Sequence, residues 1–159
     1  MPAIRLIWIA SLLLLPLSAP SVTAGESGVA VLCDFETSDA WASSGIAVAG
    51  ITVPSGATAS GGRGIQLTGS GEEGSISRPS SVEDWRSYRA LSLYAAVESA
   101  GKVAMRIRAL SGRGEASMLK RFALEPGPWR EVVLPLADWR EDLLDQIGDF
   151  SHVETIVVQ

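Results

Sequence analysis

The sequence predicts an all-β sandwich, and three observations carry that prediction. Short segments with two-residue alternation recur along the chain, the clearest being Leu91, Leu93, Ala95 and Val97 against Ser92, Tyr94 and Ala96. That spacing sends successive side chains to opposite faces of a strand. Breaks rich in Gly, Pro and Ser separate the segments, at Ser99-Ala100-Gly101, Ser111-Gly112-Arg113-Gly114 and Glu125-Pro126-Gly127-Pro128, so each strand is short before the chain turns. Each strand also has one apolar face, which is stable only against a second layer.

Ahead of these strands lie Arg5, an apolar run from Leu6 to Leu17, and Val22-Thr23-Ala24 before Gly25. A basic residue, an apolar stretch and small residues at a junction make a secretory signal peptide, with cleavage expected after Ala24. The run is 12 residues long, short of the roughly 20 that a membrane-spanning helix needs. The expected organisation is a signal peptide over 1–24 and one β-sandwich over 25–159, secreted or periplasmic and free of the membrane once the leader is gone. Cys33 lies past the junction behind Leu32, not behind a small residue, which argues against a lipid anchor; as the sole cysteine it forms no internal disulfide. Of 13 basic and 18 acidic residues, one basic and no acidic residue fall in 1–24, leaving the exported chain a net charge of about −6. That balance argues against a nucleic-acid partner, whose phosphates need a basic surface.

The first strand is expected over Val29 to Phe35, with Cys33 on the face of Val29, Val31 and Phe35 as a small core residue. Ile46 to Val53 is a second strand, and Ile65 with Leu67 begins a third. Gly69-Ser70-Gly71-Glu72-Glu73-Gly74 fits the dinucleotide-binding pattern G-x-G-x-x-G. No helix follows to meet a pyrophosphate, however, because Ser75 to Pro79 reads as a strand, so the segment is taken as a hairpin turn. Trp85 and Tyr88 stand just before the central strand, placed to fold over one end of the sandwich. Beyond it, Val103, Met105, Ile107 and Ala109 alternate with Ala104, Arg106 and Arg108, and Met118 to Leu124, Trp129 to Leu136 and Val153 to Gln159 supply further strands. One short helix near the C-terminus is expected to interrupt them. Asp138-Trp139-Arg140-Glu141 resembles a capping box, Trp139, Leu143 and Ile147 share a helical face, and Gly148 is placed to end it.

Read together, Asp34-Phe35-Glu36, Trp41, Asp84-Trp85-Arg86-Ser87-Tyr88 with Leu91, Pro126-Gly127-Pro128-Trp129 with Val132, Leu134-Pro135-Leu136, and Asp149-Phe150-Ser151 with Ile156 form a series. The series resembles the galactose-binding-like jelly-roll domains, particularly the carbohydrate-binding modules and the complex I intermediate-associated family, over nearly the whole exported chain. The resemblance implies a jelly-roll β-sandwich, a non-catalytic carbohydrate-binding or accessory role, and a polysaccharide or oligosaccharide as partner. It also implies a structural calcium ion, to which Glu36 is the side chain best suited to contribute. Such domains usually close with a further strand carrying an aspartate, which no segment here matches. The sandwich is therefore expected to lack its last strand, as the N-terminal module of a longer glycan-active protein with a downstream catalytic domain.

No catalytic constellation stands out. His152 is the sole histidine and there is no G-x-S-x-G elbow. Glu72-Glu73 and Glu141-Asp142 are adjacent pairs in a turn and on a helix surface, not two carboxylates flanking a glycosidic bond. Helix-end and turn roles account for Asp145, Asp149 and His152 better than a metal does. What remains is recognition by an aromatic ring against the apolar face of a pyranose, with placed polar groups fixing its hydroxyls. Tyr94, Arg106, Arg108 and Arg121 are expected to make that face on neighbouring strands, while Trp41, Trp85, Trp129 and Trp139 belong to the core or the ends. The alternative is an extracellular protein-interaction or scaffold domain of the same fold without a glycan ligand.

The exported protein is expected to begin at Gly25. Mass spectrometry of the exported fraction reads this directly, and an intact Met1 terminus there would remove the leader assignment.

Overall fold

The computed structural model describes residues 5–16, 30–33, 41–53, 62–69, 74–98, 101–111, 114–141 and 146–159. These form two antiparallel sheets. The first holds β1 (Arg5–Pro16), β2 (Ala30–Cys33), β4 (Ala47–Thr52), β5 (Arg63–Gly69), β7 (Tyr88–Val97) and β10 (Gly127–Pro135), in the order β10-β7-β1-β5-β4, with β2 also paired to β1. The second holds β3 (Ala42–Ser44), β6 (Ser75–Pro79), β8 (Gly101–Ser111), β9 (Gly114–Leu124), β11 (Arg140–Glu141) and β12 (Val153–Val158), in the order β11-β9-β8-β12-β6-β3. The sheets share one core. Leu14, Ile65 and Leu91 enter it from the first, Ile76, Met118 and Ile156 from the second, and all six are fully buried. The all-β sandwich that the alternation predicts is the fold observed.

The path between the sheets departs from the hairpin expected over residues 69–74. β5 and β6 pair in different sheets, so the G-x-G-x-x-G segment joins two layers and is not a hairpin turn. The same holds between β7 and β8. In both places the following strand turns its apolar residues toward the core from the opposite side, as Ile76 does in β6. Gly45, at φ 71° between β3 and β4, allows another such switch, in a region of backbone space that side chains with a Cβ seldom occupy.

β1 is built from the apolar run that the sequence marks as a leader. It lies inside the first sheet, paired with β7 from Ile7 to Pro16 on one edge and with β5 and then β2 on the other. Ile9 and Leu14 face the core, and Leu13, opposite Ser92 in the ladder, is buried as well.

The expected helix near the C-terminus is instead a single 3-10 turn, Leu136–Asp138, after which Trp139 is extended and β11 pairs with β9. Asp138 therefore ends a turn where a helix was expected to start. Packing overrides the local signal, because fully buried Trp139 meets Phe150 edge-on at 6.3 Å. Backbone bonds run from Glu141 N–H to the Gln146 carbonyl and from Gly148 N–H to the Trp139 carbonyl. Ile147, assigned to the helix's apolar face, is 60% exposed. Gly148 is not a helix stop: a Cβ there would lie 1.8 Å from the Met118 Sδ. Leu143 lies outside the described residues, as do Val29, Asp34 and Phe35 of the first expected strand and Glu36 after it.

The end of the sandwich is held by Trp85. Its ring is fully buried and stacks on Phe150 at 6.1 Å with the planes 4° apart, and its indole N–H donates to the Val82 carbonyl at 2.8 Å. Its backbone N–H donates to Phe150, and Val153 N–H donates to Glu83. Beside it Asp84 accepts from the backbone N–H and the guanidinium of Arg86. The side-chain bond to Arg86, first among the causes, lowers the Asp84 pKa to about 2. This contribution is therefore present above the carboxyl's ordinary range and is lost only as the pH falls toward about 2.

Trp85→Ala is expected to destabilise the protein by about 3 to 5 kcal/mol, the range for deleting a buried large aromatic. Chemical denaturation of both proteins measures it, and coincident midpoints would show that the stack carries no weight.

Candidate functional site

The outer face of the first sheet brings together side chains from distant parts of the sequence. In β7 the core takes Leu91, Leu93, Ala95 and Val97, so Ser92, Tyr94 and Ala96 point outward. β10 lies beside it with Glu131 opposite Tyr94 and Val133 opposite Ser92. Trp129 sits where the β10 register shifts, between Gly127 and Arg130. In β5, Gln66 and Thr68 alternate with core Ile65 and Leu67, and Ile51 of β4 pairs opposite Gly64. Val53, Ile51, Tyr94 and Trp129 pack into a small apolar cluster of their own, apart from the main core.

The contact between β4 and β7 residues says something about shape. With strands spaced about 4.8 Å apart, two intervening strands put β4 some 14 Å from β7 in a flat sheet. Val53, one residue past the end of β4, therefore reaches over the intervening strands to pack with Tyr94 and Trp129 on this face. Its polar lining is also placed. Ser92, fully buried, donates its hydroxyl to the Glu131 Oε1 at 2.5 Å, which fixes the carboxylate over the sheet. Tyr94 and Trp129 are half-buried and Val133 is 47% exposed. The arrangement offers two aromatic rings, an apolar wall and a fixed acceptor, which is the composition of a site for an amphipathic ligand.

The arginines expected beside Tyr94 are elsewhere. Arg106 and Arg108 are in β8 and Arg121 is in β9, where the ladder pairs Arg106 with Leu119 and Arg121 with Ala104, while Ile107 pairs with core Met118. All three occupy the outer face of the second sheet, with Arg106 half-buried and Arg108 and Arg121 exposed. They form one group, but the thickness of the sandwich separates them from Tyr94. The expectation of a shared face is corrected by topology: parity along the chain was read properly, but β7 and β8 are not neighbours. Trp129, assigned to the core or an end, is instead the second ring of the Tyr94 face. A two-residue count already sets Trp129 on the side of Glu131 and Val133; what the count does not give is that β10 pairs with β7.

Trp41, Trp85 and Trp139 are core residues as expected. Arg78 lies over the Trp41 ring at 5.6 Å, a cation–π contact at the sheet edge. Asp149 accepts from the Ser151 N–H, and His152 pairs with Glu83, so both serve the turn before β12. Among the described residues no group of three or more His, Cys, Asp or Glu side chains comes together. Glu36, the calcium candidate, and Glu72, Glu73, Asp142 and Asp145 fall outside them.

Comparison with known proteins adds the fold and nothing narrower. No protein-family model matches the chain, and no curated protein does. Among solved structures, the fold is similar to a family 11 carbohydrate-binding module from Clostridium thermocellum, in complex with a β-1,3-1,4-mixed-linked tetrasaccharide. The TM-score is 0.57 at 18% identity, over 80% of this chain and 82% of that one. A second, the family 11 module of the cellulosomal cellulase Lic26A-Cel5E of Clostridium thermocellum, aligns at a TM-score of 0.49 and 18% identity, over 79% of this chain and 88% of that one. The protein thus has the β-sandwich fold seen in family 11 carbohydrate-binding modules. The likeness to the complex I intermediate-associated family finds no support among these structures.

Proposed function

We propose that this chain is a non-catalytic carbohydrate-binding module, exported by its leader, that holds a polysaccharide on the outer face of its first sheet. One observation carries the reading: Tyr94 and Trp129, from strands far apart in sequence, lie together on that face against Val53 and Ile51, beside a carboxylate fixed by Ser92. Each ring presents apolar surface to the C–H face of a sugar, and Glu131 accepts from its hydroxyls. An open, shallow face suits an extended chain of sugars better than a single small molecule. The similar module in complex with a mixed-linked tetrasaccharide makes mixed-linked β-glucan the first ligand to test. The three arginines of the second sheet take no part in this site.

Affinity electrophoresis through mixed-linked β-glucan, xylan, mannan and galactan tests the proposal. Tyr94→Ala is expected to weaken binding by about 1 to 2 kcal/mol, roughly tenfold, as stacking contacts in open grooves do. Trp129→Ala should behave alike, while Arg108→Ala and Arg121→Ala should migrate as the unsubstituted protein does. Unretarded migration of the folded protein in every gel would replace this reading with the protein-interaction scaffold. Loss of binding on removing the arginines would move the site to the other sheet.

A further inference from the structure

The outer face of the second sheet carries a charge opposite to that of the chain as a whole. The protein has a formal net charge of −5, yet the register of β8, β9 and β11 gathers arginines on this one side. Across the sheet Arg140 pairs with Leu119 and Leu119 with Arg106, which pairs in turn with Val157. One step along, Arg108 stands between Ser117 and Thr155, and one step the other way Arg121 stands opposite Ala104. With strands about 4.8 Å apart and about 6.7 Å between alternate residues of a strand, each arginine position lies within roughly 7 to 10 Å of another. Arg108, Arg121 and Arg140 are exposed and Arg106 is half-buried. Among the described residues, the regular outer positions of β6, β8, β9, β11 and β12 hold one acidic residue, Glu115, at the end of β9 that pairs with Leu110, while Glu154 falls where the β12 register shifts. Half-buried Leu119 and Val157 lie between the arginines, and Ile147, 60% exposed, is bridged to Arg140 at the edge.

We propose that this face is a second binding site, for an acidic polysaccharide whose uronate carboxylates recur along an extended chain. It is separate from the Tyr94 face and does not rest on it. Like charges gathered on one rigid sheet repel, and a ligand that bears carboxylates in series relieves several of those repulsions at once. All four cations are arginines, whose planar fork takes a carboxylate through two parallel bonds, as the ammonium of a lysine does not. Arg106, Arg108 and Arg140 also interact within the protein; at a surface such interactions are weak and exchange for a ligand carboxylate. Between the charges, Leu119, Val157 and Ile147 offer apolar contact to the C–H face of a sugar ring. Two other kinds of polyanion fit less well. The described outer positions of this sheet hold no aromatic ring on which a nucleic-acid base would stack. For a lipid surface they offer one exposed large apolar side chain, Ile147, where an inserting face needs several.

The test titrates a fluorescently labelled oligogalacturonate, which carries one carboxylate per sugar, with the full chain and follows anisotropy. Saturable binding is expected, weakening about tenfold as salt rises from about 20 to 200 mM, as contacts between exposed charges do. The methyl-esterified oligomer, identical in its sugars but uncharged, should not bind. Arg108→Ala and Arg121→Ala combined should weaken the binding of the charged oligomer roughly tenfold, the loss of two bidentate contacts. Both side chains are exposed, and an unfolding midpoint equal to that of the unsubstituted protein certifies the variant as folded. No anisotropy change with the charged oligomer would overturn the proposal, and so would equal binding of the esterified one, a comparison that needs no variant. Undiminished binding by the folded double variant would put the ligand elsewhere on the molecule and overturn it as well. Tighter capture of a short single-stranded DNA, or of vesicles rich in phosphatidylserine, would make the occupant a nucleic acid or a membrane and overturn it too. Because the probe is charged and the mixed-linked β-glucan is neutral, a chain that fails to hold the glucan leaves each of these outcomes readable.

Discussion

The contact on which the two sheets depend is the ring stack of Trp85 on Phe150, with Trp139 edge-on to the same phenylalanine. These residues stand outside the long strands, yet they decide how the strands meet. The segment that leads into β7 is bonded to the segment around the start of β12 by Trp85 to Phe150, Val153 to Glu83 and Ser80 to Glu154. From that short ladder β7 continues in the first sheet and β12 in the second, so the separation of the layers at this end is set by what lies between them. Three aromatic rings fill the space and keep water from the backbone bonds.

Crossing from layer to layer has a consequence for how a binding face is assembled. When consecutive strands alternate between sheets, neighbours in sequence look toward opposite sides of the molecule. A continuous surface must then be gathered from far apart, here from Ile51, Ser92, Tyr94, Trp129 and Glu131. Ser92 is the buried polar residue among those described, and on the outer face its bond to Glu131 ties β7 to β10. The face is thus held by main-chain pairing and by one internal side-chain bond, an arrangement that presents the rings without having to move them.

Much of this was legible in the sequence, and the failures have identifiable causes. Strict alternation over Leu91 to Val97 marks a strand because it has one neighbouring layer to satisfy. The segment after Asp138 failed because helix-capping residues report a local preference, whereas Trp139 is placed by Phe150 from another part of the chain. The arginines were assigned to Tyr94 because parity can be counted along a chain but sheet membership cannot. Trp129 was missed as a partner of Tyr94 because its parity with Glu131 and Val133 marks an outer face but not that β10 lies beside β7. The segment Arg5–Pro16 is the sharpest case. Its apolar residues fit the pattern of an export leader and are also seated as an interior strand, and hydrophobicity alone does not distinguish the two.

Gly148 shows how finely the closed end is fitted. The sulfur of Met118 occupies the position a Cβ would need, so the strand β9 side chain is keyed into the loop that follows β11. The two positions therefore form a single unit of shape. A side chain at 148 is tolerable only with a smaller one at 118, and sequence change there must come in pairs, with coupling between the two positions of the kind that neighbouring core residues show. Drift at this end of the sandwich is restricted less by the identity of any one residue than by the volume that two of them share.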